Sequence, residues 1–360
     1  MVGPRVVGFD RVRLPSYRRI THVRASGHRA WAGVFWWARR IAKGRTIMTE
    51  PATGAFHALL TESRTFPPSP EITANGVVSD PGIYEEALRD PEAFWAARAH
   101  EQLDWSKPWD HVLDWDLPNA KWFVGAELNA SYNCIDRHAH GARADKVAIL
   151  FEGEPGDVRE ITYRQLHDEV SRAAAMLRHL GVKKGDKVAI YLPMIPEAIV
   201  AMQACARLGA THTVVFGGFS PESLSDRIND CGASVVITAD GGWRRGKVVP
   251  LKDNADAAMV STPTVHKCVV VRRVGDAHVP HMDTARDIWW DDALAEASAS
   301  GHVAVDPVPV DAEHPLFILY TSGSTGKPKG IFHATGGYLL QASLTHKWVF
   351  DLKENDVFWC

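Results

Sequence analysis

From position 147 onward, short continuous apolar runs alternate with stretches whose apolar residues recur every three or four positions, which predicts strands alternating with helices. Positions 147–151 with Ile161 predict a hairpin-like pair. Thr162 then opens a helix with Gln165 three residues on, the spacing of a capping box. Leu166, Val170, Ala173, Leu177 and Leu180 form the apolar face of that helix, and Gly181 ends it. A strand follows over 187–193, a helix over 196–208 closed by Gly209, and a strand over 211–216. Ser220 caps the next helix, with Pro221 at its first position. Two further strands are predicted over 234–239 and 266–273, and a buried one over 316–319. Because these strands read as unbroken Val and Ile runs rather than alternating ones, the fold class is α/β, with a mostly parallel sheet covered on both faces.

Upstream the pattern changes. Positions 84–116 carry Phe94, Trp95, Trp105, Trp109 and Trp115 among charged neighbours, with short helices predicted over 84–88 and 91–100. So many large rings in a short stretch predict packing anchors docked on the rest of the fold, ahead of a base-stacking or sugar-binding platform. Positions 52–78 are rich in Pro, Ser and Thr and predict a loosely ordered arm. Positions 1–47 hold ten Arg and one Lys against the single acid Asp10. A transit or membrane-surface segment would have that composition, but scattered prolines and aperiodic apolar residues favour a leader outside the fold, with Met48 as an alternative start. The chain thus divides into a basic leader (1–47), an aromatic-rich segment (48–140) and an α/β domain (141–360).

The apolar fraction of 46% and the charged fraction of 23% belong to a soluble globular protein and exclude disordered and fibrous classes. Net charge is −3, and beyond the leader 29 basic residues face 42 acidic ones, which argues against a nucleic-acid partner. Five cysteines without metal-ligand spacing suggest a reducing compartment, hence the cytoplasm. No apolar run reaches about 18 residues, so no membrane-spanning helix is expected.

Three loops at strand ends, each expected to lead into a helix, are candidates for chemistry, because ligands of such sheets bind off the carboxyl ends of strands. The first is Tyr320-Thr321-Ser322-Gly323-Ser324-Thr325-Gly326-Lys327-Pro328-Lys329-Gly330. Glycines let backbone approach an anion, hydroxyls donate hydrogen bonds and two lysines add charge, an assembly suited to a triphosphate. It lacks the glycine and the residue after lysine of a nucleoside-triphosphatase loop, since Thr321 and Pro328 stand there, and its glycines have the wrong spacing for a dinucleotide fingerprint. The second is Phe216-Gly217-Gly218-Phe219-Ser220-Pro221, where paired glycines expose N–H groups beside a helix start; a tight turn alone also accounts for it. The third, Asp240-Gly241-Gly242-Trp243-Arg244-Arg245-Gly246-Lys247, clusters cations that suit a phosphomonoester, or simply a solvated basic loop. His333, before a helix over 339–345, is read as packing rather than as a base.

The run TSGSTGKPKG resembles the phosphate-binding loop of the acyl-adenylate-forming enzymes. The segment DPEAFWAARAHEQLDWSKPWDHVLDWDLPNAKWFVGAELNASYNCIDRH resembles the N-terminal segment of acetyl-CoA synthetases and their propionyl relatives, over about residues 50–360 in all. The resemblance implies acetate–CoA ligase chemistry with acetate, Mg·ATP and coenzyme A as substrates. Thr321, Ser322, Gly323, Ser324, Thr325, Gly326 and Lys327 would hold the ATP phosphates, with Lys327 catalytic. Arg244, Arg245, Gly246 and Lys247, with Gly217 and Gly218, would meet coenzyme A; its 3′-phosphate falls to Arg244 and Lys247, the latter standing where the family has Arg. HATGGYLLQASLTHKWVF is close to the acetate-using branch. Family features that follow this stretch, Mg²⁺ ligands among them, lie beyond Cys360, so the chain is expected to be an incomplete adenylation domain, inactive alone and with apolar surface uncovered. A propionate ligase and a non-catalytic nucleotide- or CoA-binding module are the alternatives.

Overall fold

The computed structural model describes residues 65–321 and 328–359, and the account below concerns the unit Pro68–Cys360. The expected leader and the start at Met48 lie outside the described residues. The predicted loose arm is corrected at its end, where Pro70–Asn75 forms a helix (α1). Ser69 accepts from the Ile72 N–H at 3.2 Å and Pro70 takes the first turn, two start signals that the polar composition masked. Helices α2 (Gly82–Arg89) and α3 (Pro91–Gln102) follow, the second capped by Asp90 through the Ala93 N–H at 3.0 Å.

An antiparallel hairpin, β1 (His111–Asp116) and β2 (Asn119–Val124), and a short β3 (Glu127–Leu128) complete the aromatic-rich segment. Its rings form a core of their own. Trp105 lies 5.2 Å from both Trp109 and Phe123, and Trp95 stands edge-on to Phe94 at 5.3 Å and to Trp122 at 6.3 Å. Ala312, Leu339, Leu340 and Leu344 close this cluster from the other side. The packing role expected of these aromatics therefore stands, with one correction. Trp115 is 60% exposed, because it sits beside the turn of a two-stranded ribbon, one pair from its tip.

A π-helical turn, Tyr132–Asp136, and α4 (Arg137–Ala139) lead to the hairpin β4 (Val147–Glu152) and β5 (Val158–Thr162). Helix α5 (Tyr163–His179) carries the predicted capping box. Gln165 N–H donates to Thr162 Oγ1 at 3.2 Å, and Gln165 Oε1 accepts from the Thr162 N–H at 2.8 Å. Then come β6 (Lys187–Tyr191), α6 (Pro196–Leu208), β7 (Thr211–Val214), α7 (Pro221–Cys231), β8 (Val235–Ala239), a small hairpin β9 (Gly242–Arg244) and β10 (Lys247–Val249), and α8 (Leu251–Met259). They are followed by β11 (Lys267–Val271), β12 (Asp287–Trp289), α9 (Trp290–Ala299), β13 (Val310–Asp311), β14 (Pro315–Thr321), β15 (Lys329–Ala334) and α10 (Thr335–Leu344).

The main sheet runs β12-β11-β8-β6-β7-β14-β15, and every pairing is parallel except the last. All five residues of β8 are buried, and four of five in β6 and β11, so both faces are covered as the unbroken apolar runs required. Helix α5 packs against both α6 and α9, and α7 packs against α8.

The structure corrects two of the three loop environments. Thr321 pairs with Lys329 and Tyr320 with Gly330, so the first loop joins antiparallel strands and a helix begins only at Thr335. The third loop is the β9–β10 hairpin, not a passage into a helix. The second does run into α7, and Ser220 Oγ accepts from the Ser223 N–H at 3.4 Å. His333 stacks on Phe317 at 4.4 Å with rings 13° apart, the packing role expected of it.

Candidate functional site

The carboxyl ends of β6, β7 and β8 deliver three segments to one cleft of about 320 Å³. Leu192 and Pro193 follow β6, Phe216, Gly217 and Gly218 follow β7, and Gly242, Trp243 and Arg244 follow β8. The fourth wall is the turn between β4 and β5, through Gly153 and Glu154. The second and third predicted loops thus meet.

Local chemistry sets the shape of the second loop. Tyr191, at the end of β6, donates from Oη to the Phe219 carbonyl at 2.8 Å and receives Asn254 Nδ2 at 3.4 Å. The Phe219 N–H returns to the Phe216 carbonyl at 2.9 Å, closing a tight turn. Among the described residues, neither the Gly217 nor the Gly218 N–H has a hydrogen-bond partner, so both donors are free at the cleft wall. A Cβ at Gly218 would stand 2.6 Å from Arg244 Nη1, so any side chain there would have to displace the guanidinium. The Arg244 guanidinium is 5.3 Å from the centre of the Phe216 ring, so cation–π attraction and the missing Cβ together seat it across the cleft.

The third loop has a precise architecture. Arg245 and Gly246 form its two-residue turn with φ of 55° and 72°, the positive values that a type I′ turn demands. Lys247 is therefore the direct cross-strand partner of Arg244. Side chains of partnered residues leave the same face of a ribbon about 4.5–5.5 Å apart, so a sequence separation of three becomes a pair of cations side by side. Among the described residues no carboxylate lies within 4.0 Å of the charged groups of Arg244, Arg245 or Lys247. Two like charges in register repel unless an anion joins them.

Asp240, at the head of the third loop, and residues that sequence reasoning passed over hold this arrangement in place. Asp240 is 2% exposed, and its carboxylate accepts from the N–H groups of Gly241 at 2.7 Å, Arg273 at 2.8 Å and Val274 at 3.0 Å. Arg273 in turn grips Asp157 through two contacts, 2.6 and 2.9 Å, and holds its carboxyl below the usual carboxylate range. Arg227 lies over the rings of Phe219, at 4.7 Å, and Tyr320, at 5.5 Å, and so joins the second loop to the strand that precedes the first. Tyr320 donates to Asp230 Oδ2 at 2.7 Å, and burial above all pushes its phenol up, which keeps it the donor. In sequence Arg227 is an unremarkable polar position of a helix, whereas the clustered cations and glycines of the second and third loops are legible as motifs.

Thr321 ends β14 as an exposed residue, opposite exposed Lys329. Ser322, Gly323, Ser324, Thr325, Gly326 and Lys327 lie outside the described residues. Among the described residues no group of three or more His, Cys, Asp or Glu is placed to hold a metal ion, and no helix is long and apolar enough to cross a membrane.

The class of protein follows from the mostly parallel α/β sheet with a cleft at its carboxyl edge, walled by Gly217 and Gly218 and lined by Arg244: an α/β protein whose cleft lies where ligands of such sheets bind. Comparison with known families makes this specific. Residues 135–360 match the AMP-binding enzyme family and residues 82–134 match the acetyl-coenzyme A synthetase N-terminus, so the chain belongs to the AMP-binding enzyme family. It is 56% identical over 306 residues to an acetyl-coenzyme A synthetase of Gemmatimonas aurantiaca, covering 84% of this chain and 46% of the relative. It is 55% identical to one of Rubrobacter xylanophilus, over 82% and 45%, and 51% identical to one of Magnetococcus marinus, over 84% and 47%. The chain therefore spans about half the length of the curated relatives it matches.

Proposed function

We propose that the chain carries the nucleotide-binding and coenzyme-binding part of an acetate–CoA ligase. In the first step an acetate oxygen attacks the α-phosphorus of Mg·ATP, giving acetyl-adenylate and pyrophosphate. In the second the thiol sulfur of coenzyme A attacks the acyl carbon, the acyl–phosphate bond breaks and AMP leaves. Magnesium enters as part of the nucleotide substrate.

One observation carries the reading: Arg244, unpaired by any carboxylate, lines the cleft with the free N–H groups of Gly217 and Gly218, and Lys247 is its cross-strand partner. A phosphomonoester placed between the two cations would gain charge-assisted hydrogen bonds, worth roughly 1.5–3 kcal/mol each. That is the 3′-phosphate of coenzyme A in this reading, with the pantetheine arm entering along Gly217, Gly218 and Pro193. Arg245 and Gly246 serve as the turn rather than as direct contacts, since their N–H groups are already engaged by Glu154. The segment from Thr321 through Ser322, Gly323, Ser324, Thr325, Gly326 and Lys327 would fix the ATP phosphates, with Lys327 offsetting charge that builds on departing pyrophosphate.

Acetate-dependent exchange of labelled pyrophosphate into ATP, measured on the native polypeptide, tests the ligase reading. Exchange that needs acetate and drops at least a hundredfold in Lys327→Ala, with thermal stability unchanged, is the expected result, a loss of about 3 kcal/mol in the transition state. Exchange indifferent to acetate or to Lys327 would overturn it.

A further inference from the structure

The β9–β10 turn is held by a contact outside the ligand reading just given. Glu154 accepts the Arg245 N–H at Oε2, 3.0 Å away, and the Gly246 N–H at Oε1, so one carboxylate spans two successive turn donors. Those donors converge because both turn residues have positive φ. Glu154 is itself on a braced turn. The Gly153 N–H reaches the Asp157 carbonyl at 2.8 Å, and Asp157 is bound by Arg273, whose own N–H is bound by Asp240 at the root of the same hairpin. The contacts close a circuit around the cleft: Asp240 grips the hairpin at its base, Glu154 grips it at its tip, and the Arg273–Asp157 pair ties the two anchors together.

A three-residue strand on each side leaves this hairpin few ladder bonds of its own. Without a tip anchor, repulsion between Arg244 and Lys247 would splay or rock the ribbon, and both side chains lie within one residue of the turn. We propose that Glu154 is a positioning residue that sets the spacing and aim of the Arg244–Lys247 pair, and so makes the cleft selective for a ligand bearing a phosphomonoester over the same ligand without it. The proposal rests on the reading that this hairpin meets the 3′-phosphate of coenzyme A, and it adds the element that gives the hairpin its selectivity.

The test is calorimetric titration of the full chain with coenzyme A and with dephospho-coenzyme A, in the wild type, Glu154→Ala and Glu154→Gln. The wild type should bind coenzyme A at least about tenfold tighter than the dephospho form. Glu154→Ala should lower that ratio about fivefold or more, which a general loss of structure, weakening both ligands alike, would not do. Glu154→Gln, whose amide oxygen still accepts one N–H, should fall between. Independently of any ligand, the Arg245 and Gly246 amide protons should exchange with solvent at least about tenfold faster in Glu154→Ala. A wild-type ratio near one would remove the phosphate reading and this proposal with it. A wild-type ratio of ten that persists in Glu154→Ala, or turn amides that exchange unchanged, would overturn the role of Glu154 and leave the phosphate reading standing.

Discussion

Arg244 and Lys247 show how a residue's chemistry depends on its partner across a ribbon. As the family resemblance implies Arg at the second position, Lys247→Arg should tighten coenzyme A binding, because a guanidinium fork can meet a phosphate through two hydrogen bonds where an ammonium offers a point charge. The expected gain is about two- to tenfold in calorimetric affinity, with none for dephospho-coenzyme A; equal gains for both would show that the added group contacts something other than the phosphate. Gly218→Ala should act in the opposite direction by displacing Arg244 from the Phe216 face.

His212 lies on β7, an interior strand of the main sheet. It is 7% exposed, its Nδ1 has no hydrogen-bond partner among the described residues, and burial pushes its imidazole down to about 4. The unfolded chain takes up a proton below pH 6.5 that the folded chain refuses until about pH 4. The native state therefore loses stability as pH falls through that window and keeps it above. His212 should account for about 3 kcal/mol of that loss. In urea unfolding at pH 7 and pH 5, His212→Phe, which retains the ring packed 5.7 Å from Phe317, should show a visibly smaller drop than the wild type. Parallel drops in the two proteins would contradict this account.

At the scale of elements, local signals carried most of the information. Thr162 and Gln165 are close in sequence and need no tertiary context, so their capping box was readable in advance; Thr162→Ala should cost about 1 kcal/mol, measured as the shift in urea midpoint. The strands β6, β8 and β11 were readable because burial on both faces leaves unbroken Val and Ile runs. Strand β15 was not. Its Ile331 and Phe332 are adjacent and about half exposed, at 49% and 57%, so neither alternation nor an apolar run marks it, and its existence depends on pairing with β14. The same holds for β9–β10, where the pattern Arg-Arg-Gly-Lys looks like a loop until the register puts its ends opposite each other. Of the site, the cations and glycines, with Asp240 at the head of the third loop, were visible as motifs, whereas Glu154, Arg273 and Arg227 were not, because each acts on a segment distant in sequence.

Across the whole unit, the aromatic-rich segment and the α/β sheet are locked by a buried ion pair. Arg207, on α6, meets Asp136 through two contacts, 2.7 and 3.0 Å, with the two side chains 3% and 4% exposed. Arg207 also donates to the Val305 carbonyl at 2.5 Å, and nearby Asn129 donates to the Ala206 carbonyl at 2.9 Å. Arg207→Met would strip the buried Asp136 carboxyl of its guanidinium partner and leave only His167 Nε2 beside it at 3.4 Å, at a cost of about 3–5 kcal/mol. Tryptophan fluorescence, to which the segment contributes Trp95, Trp105, Trp109, Trp115 and Trp122, should then lose coincidence with far-ultraviolet circular dichroism during urea unfolding. A single shared transition with an unchanged midpoint would show that the pair does not couple the two parts.

The account as a whole turns on whether the cleft at the carboxyl ends of β6, β7 and β8 receives the phosphorylated end of coenzyme A. The most direct test is titration of wild type and Arg244→Ala with coenzyme A and dephospho-coenzyme A. Wild type should favour coenzyme A by at least about tenfold, and Arg244→Ala should bind the two alike. Equal affinity of the wild type for both, or a preference untouched by loss of Arg244, would contradict it.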